Sequence, residues 1–192
     1  MEDAEQQKPI RNCDGCSLCC MVLEINELNK PKGVWCTHCS TRKACDIYDR
    51  RPDECEKFYC GWLMNGHLGP EWKPSKSKIV LVGELDGNRL AAHMHPNHPD
   101  AWREEPFYST LKEWAMAAVP DRGQVIACVG RRTYMIFPDR DVDLGIIEDD
   151  DRIITGEKKT PHGIQLQAYK IHKDDPRIAN LAEQNWNIAK KK

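Results

Sequence analysis

The chain has 192 residues and a formal net charge of −2, with 28 Lys/Arg and 30 Asp/Glu well mixed along it. No basic stripe marks a nucleic-acid-binding face, and no apolar run approaches the ~20 residues of a membrane span. The distinctive feature is cysteine: ten in all, nine of them between Cys13 and Cys60, with Cys128 alone outside.

That distribution divides the chain. Residues 1–70 are expected to form a cysteine-cluster metal-binding domain, and residues 71–192 an α+β domain that holds most of the regular hydrophobic pattern. The opening stretch "MEDAEQQKPIRN" is polar and acidic and lacks the apolar core of a secretory signal, so the expected location is cytoplasmic. In a reducing compartment disulfides do not persist, and a dense cysteine pattern then binds metal or does redox chemistry.

In chain order, the first element is "CDGCSLCC", which carries Cys13, Cys16, Cys19 and Cys20. A C-x-x-C-x-x-C string presents three thiolates from one compact loop. Iron–sulfur proteins wrap a cubane that way and take a fourth ligand from elsewhere. A single tetrahedral zinc needs four ligands, usually as two pairs well separated in sequence. Adjacent Cys19 and Cys20 would share one zinc ion only with strain. A multi-iron cluster, or two nearby metal centres, accommodates neighbours more easily. The geometry favours a 4Fe-4S cluster, with zinc as the alternative. No proline follows the last cysteine, so this is not the ferredoxin run itself.

Next comes "KPKGVWCTHCSTRKACDIYDRRPDECEKFYCGWL", with Cys36, Cys39, Cys45, Cys55 and Cys60. Pro52 suits the first position of a helix, and Asp53 and Glu54 suit its first turn. Cys55 would then sit near free backbone N–H groups, which lowers a thiol pKa and favours ligation. Five residues span about 140° of an ideal helix, so that helix must end before Cys60 if both thiols face one centre. Tyr48, Phe58 and Trp62 would supply an apolar shell. Asp14, Asp46, His38 and His67 are further candidates by position, each more simply a solvated surface group. His38, inside "CTHC", could ligate in place of a cysteine.

The order C-x-x-C-x-x-CC, then "KPKGVWC", then "CDIYDRRPDEC", resembles the YkgJ-like cysteine-cluster family, described as a zinc- or iron-chelating domain. The likeness covers residues 13 to 60, under a third of the chain. Carried over position by position, it implies metal ligands at Cys13, Cys16, Cys19, Cys20, Cys36, Cys45, Cys55 and Cys60. Cys39 is additional to that pattern. The resemblance implies a chelating site and specifies no reaction. The cysteine string is also similar to one in flagellin lysine methylases, but no S-adenosylmethionine-binding loop is evident here, and no methylase activity is carried over.

Beyond residue 70, Ile79 to Leu85 and Arg89 to His95 read as a hairpin turning at "DGN". "FYSTLKEWAMAAVP" reads as a helix, with Phe107, Leu111, Trp114 and Ala118 at helical spacing and Pro120 as its stop. Val125 to Val129 and Thr133 to Phe137 read as a second hairpin, followed by a short strand around Val142 to Leu144. "GEKKTPHG" reads as an exposed loop. A last helix is expected near Asp175 and Pro176, with the three final lysines at its C-terminal end. The sum is an α+β fold, an antiparallel sheet with one or two helices. No nucleotide-binding glycine loop or GxSxG motif occurs. Cys128, in "VIACVG", reads as a small buried hydrophobe. His93, His95 and His98 could form a second metal site, but two prolines and a turn suggest an ordinary strand end.

Two function classes follow. In one, metal folds a cysteine-rich segment of a structural or interaction module, and the C-terminal domain recognises a ligand or a protein partner of unspecified kind. In the other, an iron–sulfur cluster carries electrons or binds substrate.

Overall fold

The computed structural model describes residues 8–39, 45–161, 163–183 and 187–188. Five strands form one sheet in the order β1 (Ile79–Glu84), β2 (Arg89–Met94), β3 (Gln124–Val129), β4 (Arg132–Ile136) and β5 (Asp141–Ile146). A second sheet has the order β7 (Gly163–His172), β6 (Asp151–Thr160), β8 (Asn187–Ile188). Four short helices come first: α1 (Cys19–Val22), α2 (Asp53–Glu56), α3 (Gly61–Met64) and α4 (Pro74–Ser77). Then come α5 (Phe107–Ala118) and α6 (Arg177–Glu183). The fold is α+β. Among the described residues, no helix is long and apolar enough to cross a membrane.

Alternation along the strands sorts their side chains by face. Ile79, Leu81, Ala92, Met94, Val125, Ala127 and Ile136 join one core. Onto them α5 lays Phe107, Leu111 and Ala115, the buried positions of its helical repeat. Trp72 and Trp102 complete this layer, with the Trp72 ring 4.8 Å from Phe107 and 5.1 Å from Trp114.

The sheet is mixed, which corrects the antiparallel expectation. β1–β2, β3–β4 and β4–β5 are antiparallel, but β2 and β3 run parallel. The cause is α5 itself. It lies between β2 and β3 in sequence and returns the chain to the end where β2 began, as a parallel pair requires.

The opposite face is covered in two pieces. Over β3 to β5, Ile153 and Ala168 of the β6–β7 hairpin pack on Ile126, Cys128, Met135 and Leu144. Over β1, Val80 and Val82 meet Leu18, Met21, Val22 and Leu63 of the cysteine-rich segment. α3 approaches β1 so closely that a Cβ at Gly61 would lie 2.9 Å from the Leu81 Cβ, so glycine is needed there.

Two further expectations are corrected. The stretch read as an exposed loop is the distal half of the β6–β7 ladder. It is exposed at Glu157 to Lys159, but it pairs through to Thr160↔Gly163. A ladder held by backbone bonds needs no apolar alternation at its solvated end, so polarity concealed the strand. The last helix ends by Glu183, and β8 then pairs with β6 at Ile154↔Ile188. The three terminal lysines lie outside the described residues. Asp175 does initiate the helix, its Oδ1 accepting the Arg177 N–H at 2.9 Å.

Leu111 is fully buried and Met116, on the same helix, is 64% exposed. Leu111→Ala should cost about 2–5 kcal/mol and Met116→Ala within about 0.5 kcal/mol in urea denaturation. Equal losses would contradict the placement of α5.

Candidate metal centre

The cysteine segment is a series of short turns, each fixed by a specific contact. Asp14 and Gly15 both take left-handed backbone angles, with φ of 45° and 72°, and this lets the Cys16 N–H reach the Cys13 carbonyl at 2.9 Å. Leu18, just before α1, and Met21 and Val22 within it are buried, while Cys19 and Cys20 are half-buried. The Cys36 N–H donates to the Cys20 carbonyl at 3.0 Å, and the Cys39 N–H donates to the Cys36 carbonyl at 3.0 Å. Cys39 and Cys45 form an isolated antiparallel bridge.

α2 begins one residue later than its sequence predicts, with Pro52 as the N-cap and not the first helical residue. The helix ends at Glu56, four residues before Cys60. A reciprocal clamp holds it in place. Glu54 accepts the Asn26 N–H at 2.7 Å and the Asn26 Nδ2 at 3.0 Å, while the Glu54 N–H donates to Glu27 Oε1 at 2.8 Å. Arg11 ties the C-terminal side of the segment, donating to the carbonyls of Trp62, Gly66 and Leu68.

These turns place all eight of Cys13, Cys16, Cys19, Cys20, Cys36, Cys45, Cys55 and Cys60 on the wall of one cavity of about 350 Å³. All are free thiols. The Cys20 thiol hydrogen-bonds with Cys19 and with Cys39. Among the described residues, no three His, Cys, Asp or Glu side chains are drawn together tightly enough to hold a metal ion as they stand. Cys39 is buried but does not line the cavity, and its thiol hydrogen-bonds with Ser17 and Cys20. Asp14, Asp46, His38 and His67 do not line it either. Asp14 faces Lys73 at 3.5 Å, and the His38 carbonyl accepts the Asp46 N–H at 2.8 Å. Of the expected apolar shell, Tyr48, Phe58 and Trp62 all line the cavity, although Tyr48 is half exposed.

Electrostatically the cavity is a crowd of like groups. Burial pushes the Cys55 thiol up to about 11, and Cys20, Cys36, Cys45 and Glu54 add to the effect. The lowered pKa expected from its helix position is therefore corrected. A one-turn helix offers little dipole, and burial, with the neighbouring sulfurs behind it, outweighs it. Burial also takes Cys39 up to about 11. Cys20 is raised further, first by its hydrogen bond with Cys19 and then by burial. Cys13 and Cys60 are raised mainly by burial.

Three groups that the sequence did not mark complete the site. Lys30 is only 6% exposed, and its Nζ donates to the Met21 carbonyl at 2.9 Å and to the Leu23 carbonyl. Its ammonium interacts with Cys20, Cys36, Cys19 and Cys55. The other two are the only buried side-chain nitrogens or oxygens among the described residues with no hydrogen-bond partner: Arg51 Nε and Trp62 Nε1. Both residues are on the cysteine cavity wall. Buried N–H groups are nearly always paired, so two orphans at one cavity indicate an absent acceptor. No periodicity or motif could have revealed this, because it depends on packing.

Comparison of the chain with protein-family models, with curated proteins and with solved structures gave no match.

A larger cleft of about 1070 Å³ lies on the sheet face shared with Val80, lined by His93, Cys128 and Thr133 and reached by Lys32. His93 is buried, with Nε2 3.7 Å from Glu84 Oε1, and Arg89 approaches the other oxygen at 3.3 Å. His95 and His98 instead meet edge-on, ring centres 5.4 Å apart, and His95 Nδ1 accepts the Asn97 N–H. The three histidines thus do not share one face. Cys128 is buried, as its apolar setting suggests, with Sγ 3.8 Å from Thr133 Oγ1.

Burial alone would raise the Glu84 carboxyl, but His93, Arg89 and Lys32 hold it down at about 2. Its folded pKa lies below the ~4.3 of an unfolded glutamate. The stabilisation is therefore present at neutral pH and is lost as pH falls from about 5 toward 2. Wild type should be more stable than Glu84→Gln at pH 7 by urea midpoint, with the gap closing on acidification. A gap independent of pH would contradict this.

Proposed function

We propose that the chain is a metal-binding protein whose cysteine cavity holds an iron–sulfur cluster of the 4Fe-4S type. One observation carries the reading: eight thiols line a single cavity whose wall also presents two buried N–H donors without partners, Arg51 Nε and Trp62 Nε1. Cluster sulfides accept such hydrogen bonds, and these bonds help set cluster potential. A single zinc ion brings no sulfide acceptor of that kind. The donor set also suits the charge. Thiols such as Cys13, Cys55 and Cys60, held above their ordinary pKa by burial and by neighbouring sulfurs, lose their protons readily only to a metal, and Lys30 offsets part of the resulting negative charge.

Bound, such a cluster would supply one-electron redox chemistry. The chain's own residues would contribute the thiolate ligands, a partly apolar wall at Phe58 and Trp62, and donors at Arg51 and Trp62. Glu24 and Glu54 are the carboxylates on its wall, with Glu54 already engaged by Asn26, and Asp14, Asp46, His38 and His67 stand off it. The reading is therefore a cluster-bearing protein, with no assigned reaction.

Protein isolated anaerobically should contain iron and acid-labile sulfide and show broad visible absorption that bleaches on reduction. Cys16→Ala and Cys55→Ala should lower the metal content and the melting temperature, whereas Cys128→Ala should leave the metal content unchanged. A colourless protein with stoichiometric zinc would replace iron by a structural zinc clamp. Unchanged metal in both cavity variants would overturn the reading.

A further inference from the structure

We propose that the eight thiols form two four-thiolate centres side by side: Cys13, Cys16, Cys19 and Cys60 in one, and Cys20, Cys36, Cys45 and Cys55 in the other. This rests on the reading that the cavity binds metal.

Packing makes the division. Buried Cys60 belongs to the cluster of Leu18, Val22, Leu63 and Val80, with Cys16 and Cys19 packed against it. Buried Cys36 belongs to a separate cluster with Ile25 and Cys39, against which Cys20 and Cys55 pack. Trp35 touches both clusters and stands at their boundary. The backbone assigns the remaining two. Cys13 and Cys16 close one turn on each other, and Cys45 is bridged to Cys39, itself one turn from Cys36.

The adjacent pair follows from the same geometry. Successive residues in a helix point about 100° apart, so Cys19 and Cys20 of α1, whose thiols share a hydrogen bond, sit at the junction of two neighbouring centres and can serve one each. Cys39 is not needed as a ligand, because it stands off the cavity with its thiol bonded to Cys20 and Ser17. Two cations flank the sets. Arg51 acts on Cys13 of one set, and Lys30 interacts with Cys20, Cys36 and Cys55 of the other as well as with Cys19 of the first, so Lys30 stands between the two sets. The volume is consistent with this. One tetrahedral ion draws four sulfurs to ~2.3 Å of a point, whereas here eight surround about 350 Å³.

The test is metal per chain, iron and zinc both, in the full-length protein isolated anaerobically and in serine variants. Cys13 is exposed and Cys45 half-buried, so Cys13→Ser and Cys45→Ser disturb no core and sample one set each. Each should keep about half of the wild-type metal. Cys13→Ser combined with Cys19→Ser should keep the same half, since both fall in one set, while Cys19→Ser combined with Cys20→Ser should lose all of it. Complete loss in every single variant, or equal loss in both double variants, would overturn the division and leave one shared centre. Wild-type protein without metal would overturn the underlying reading instead.

Discussion

The contact between Val80 and Val82 of β1 and the Leu18–Val22 turn is the one on which the cysteine half depends. That half has few apolar residues, and its helices are single turns. Single turns are not stable by themselves, because nucleation costs more than one turn recovers. The sheet supplies the missing wall. Because β1 alternates, Ile79 and Leu81 serve the α5 core while Val80 and Val82 serve the cysteine segment. One edge strand therefore supports two cores. Gly61 permits the approach that brings Cys60 into this packing.

A cavity lined by eight thiols is a poor resting place for protons or for charge. Burial and neighbouring sulfurs hold Cys13, Cys20, Cys55 and Cys60 above the ordinary thiol range, and the site gains its full interaction energy only when a cation replaces their protons. The surroundings are built for that exchange. Lys30 reaches in from behind α1, anchored by two backbone carbonyls, and Arg51 stacks its guanidinium on Tyr48 at 4.0 Å beside Cys13. The His93–Glu84 cleft is different in kind. Its carboxylate is already matched by His93 and Arg89, and its thiol, Cys128, stands apart from the other nine.

Much of this could be read from the chain. Phe107, Leu111 and Ala118 at helical spacing gave α5 its true limits, and the branched run from Ile79 gave β1. The end of α2 before Cys60 followed from angular arithmetic. The parallel β2–β3 pair was not legible, because local pattern says where strands lie and not how a helix between them returns the chain. The β6–β7 ladder was missed where "GEKK" mimics a loop. At the site, the eight lining cysteines were marked by spacing and family likeness together. Lys30, and the unpartnered nitrogens of Arg51 and Trp62, were not, since each matters only through what tertiary packing places around it.

The most direct measurement is X-ray absorption at the edge of whichever metal accompanies the purified full-length protein. Thiolate ligation predicts a first shell of sulfur alone, near ~2.3 Å. A first shell of nitrogen and oxygen would place the metal away from the cysteines and contradict the claim that they hold it.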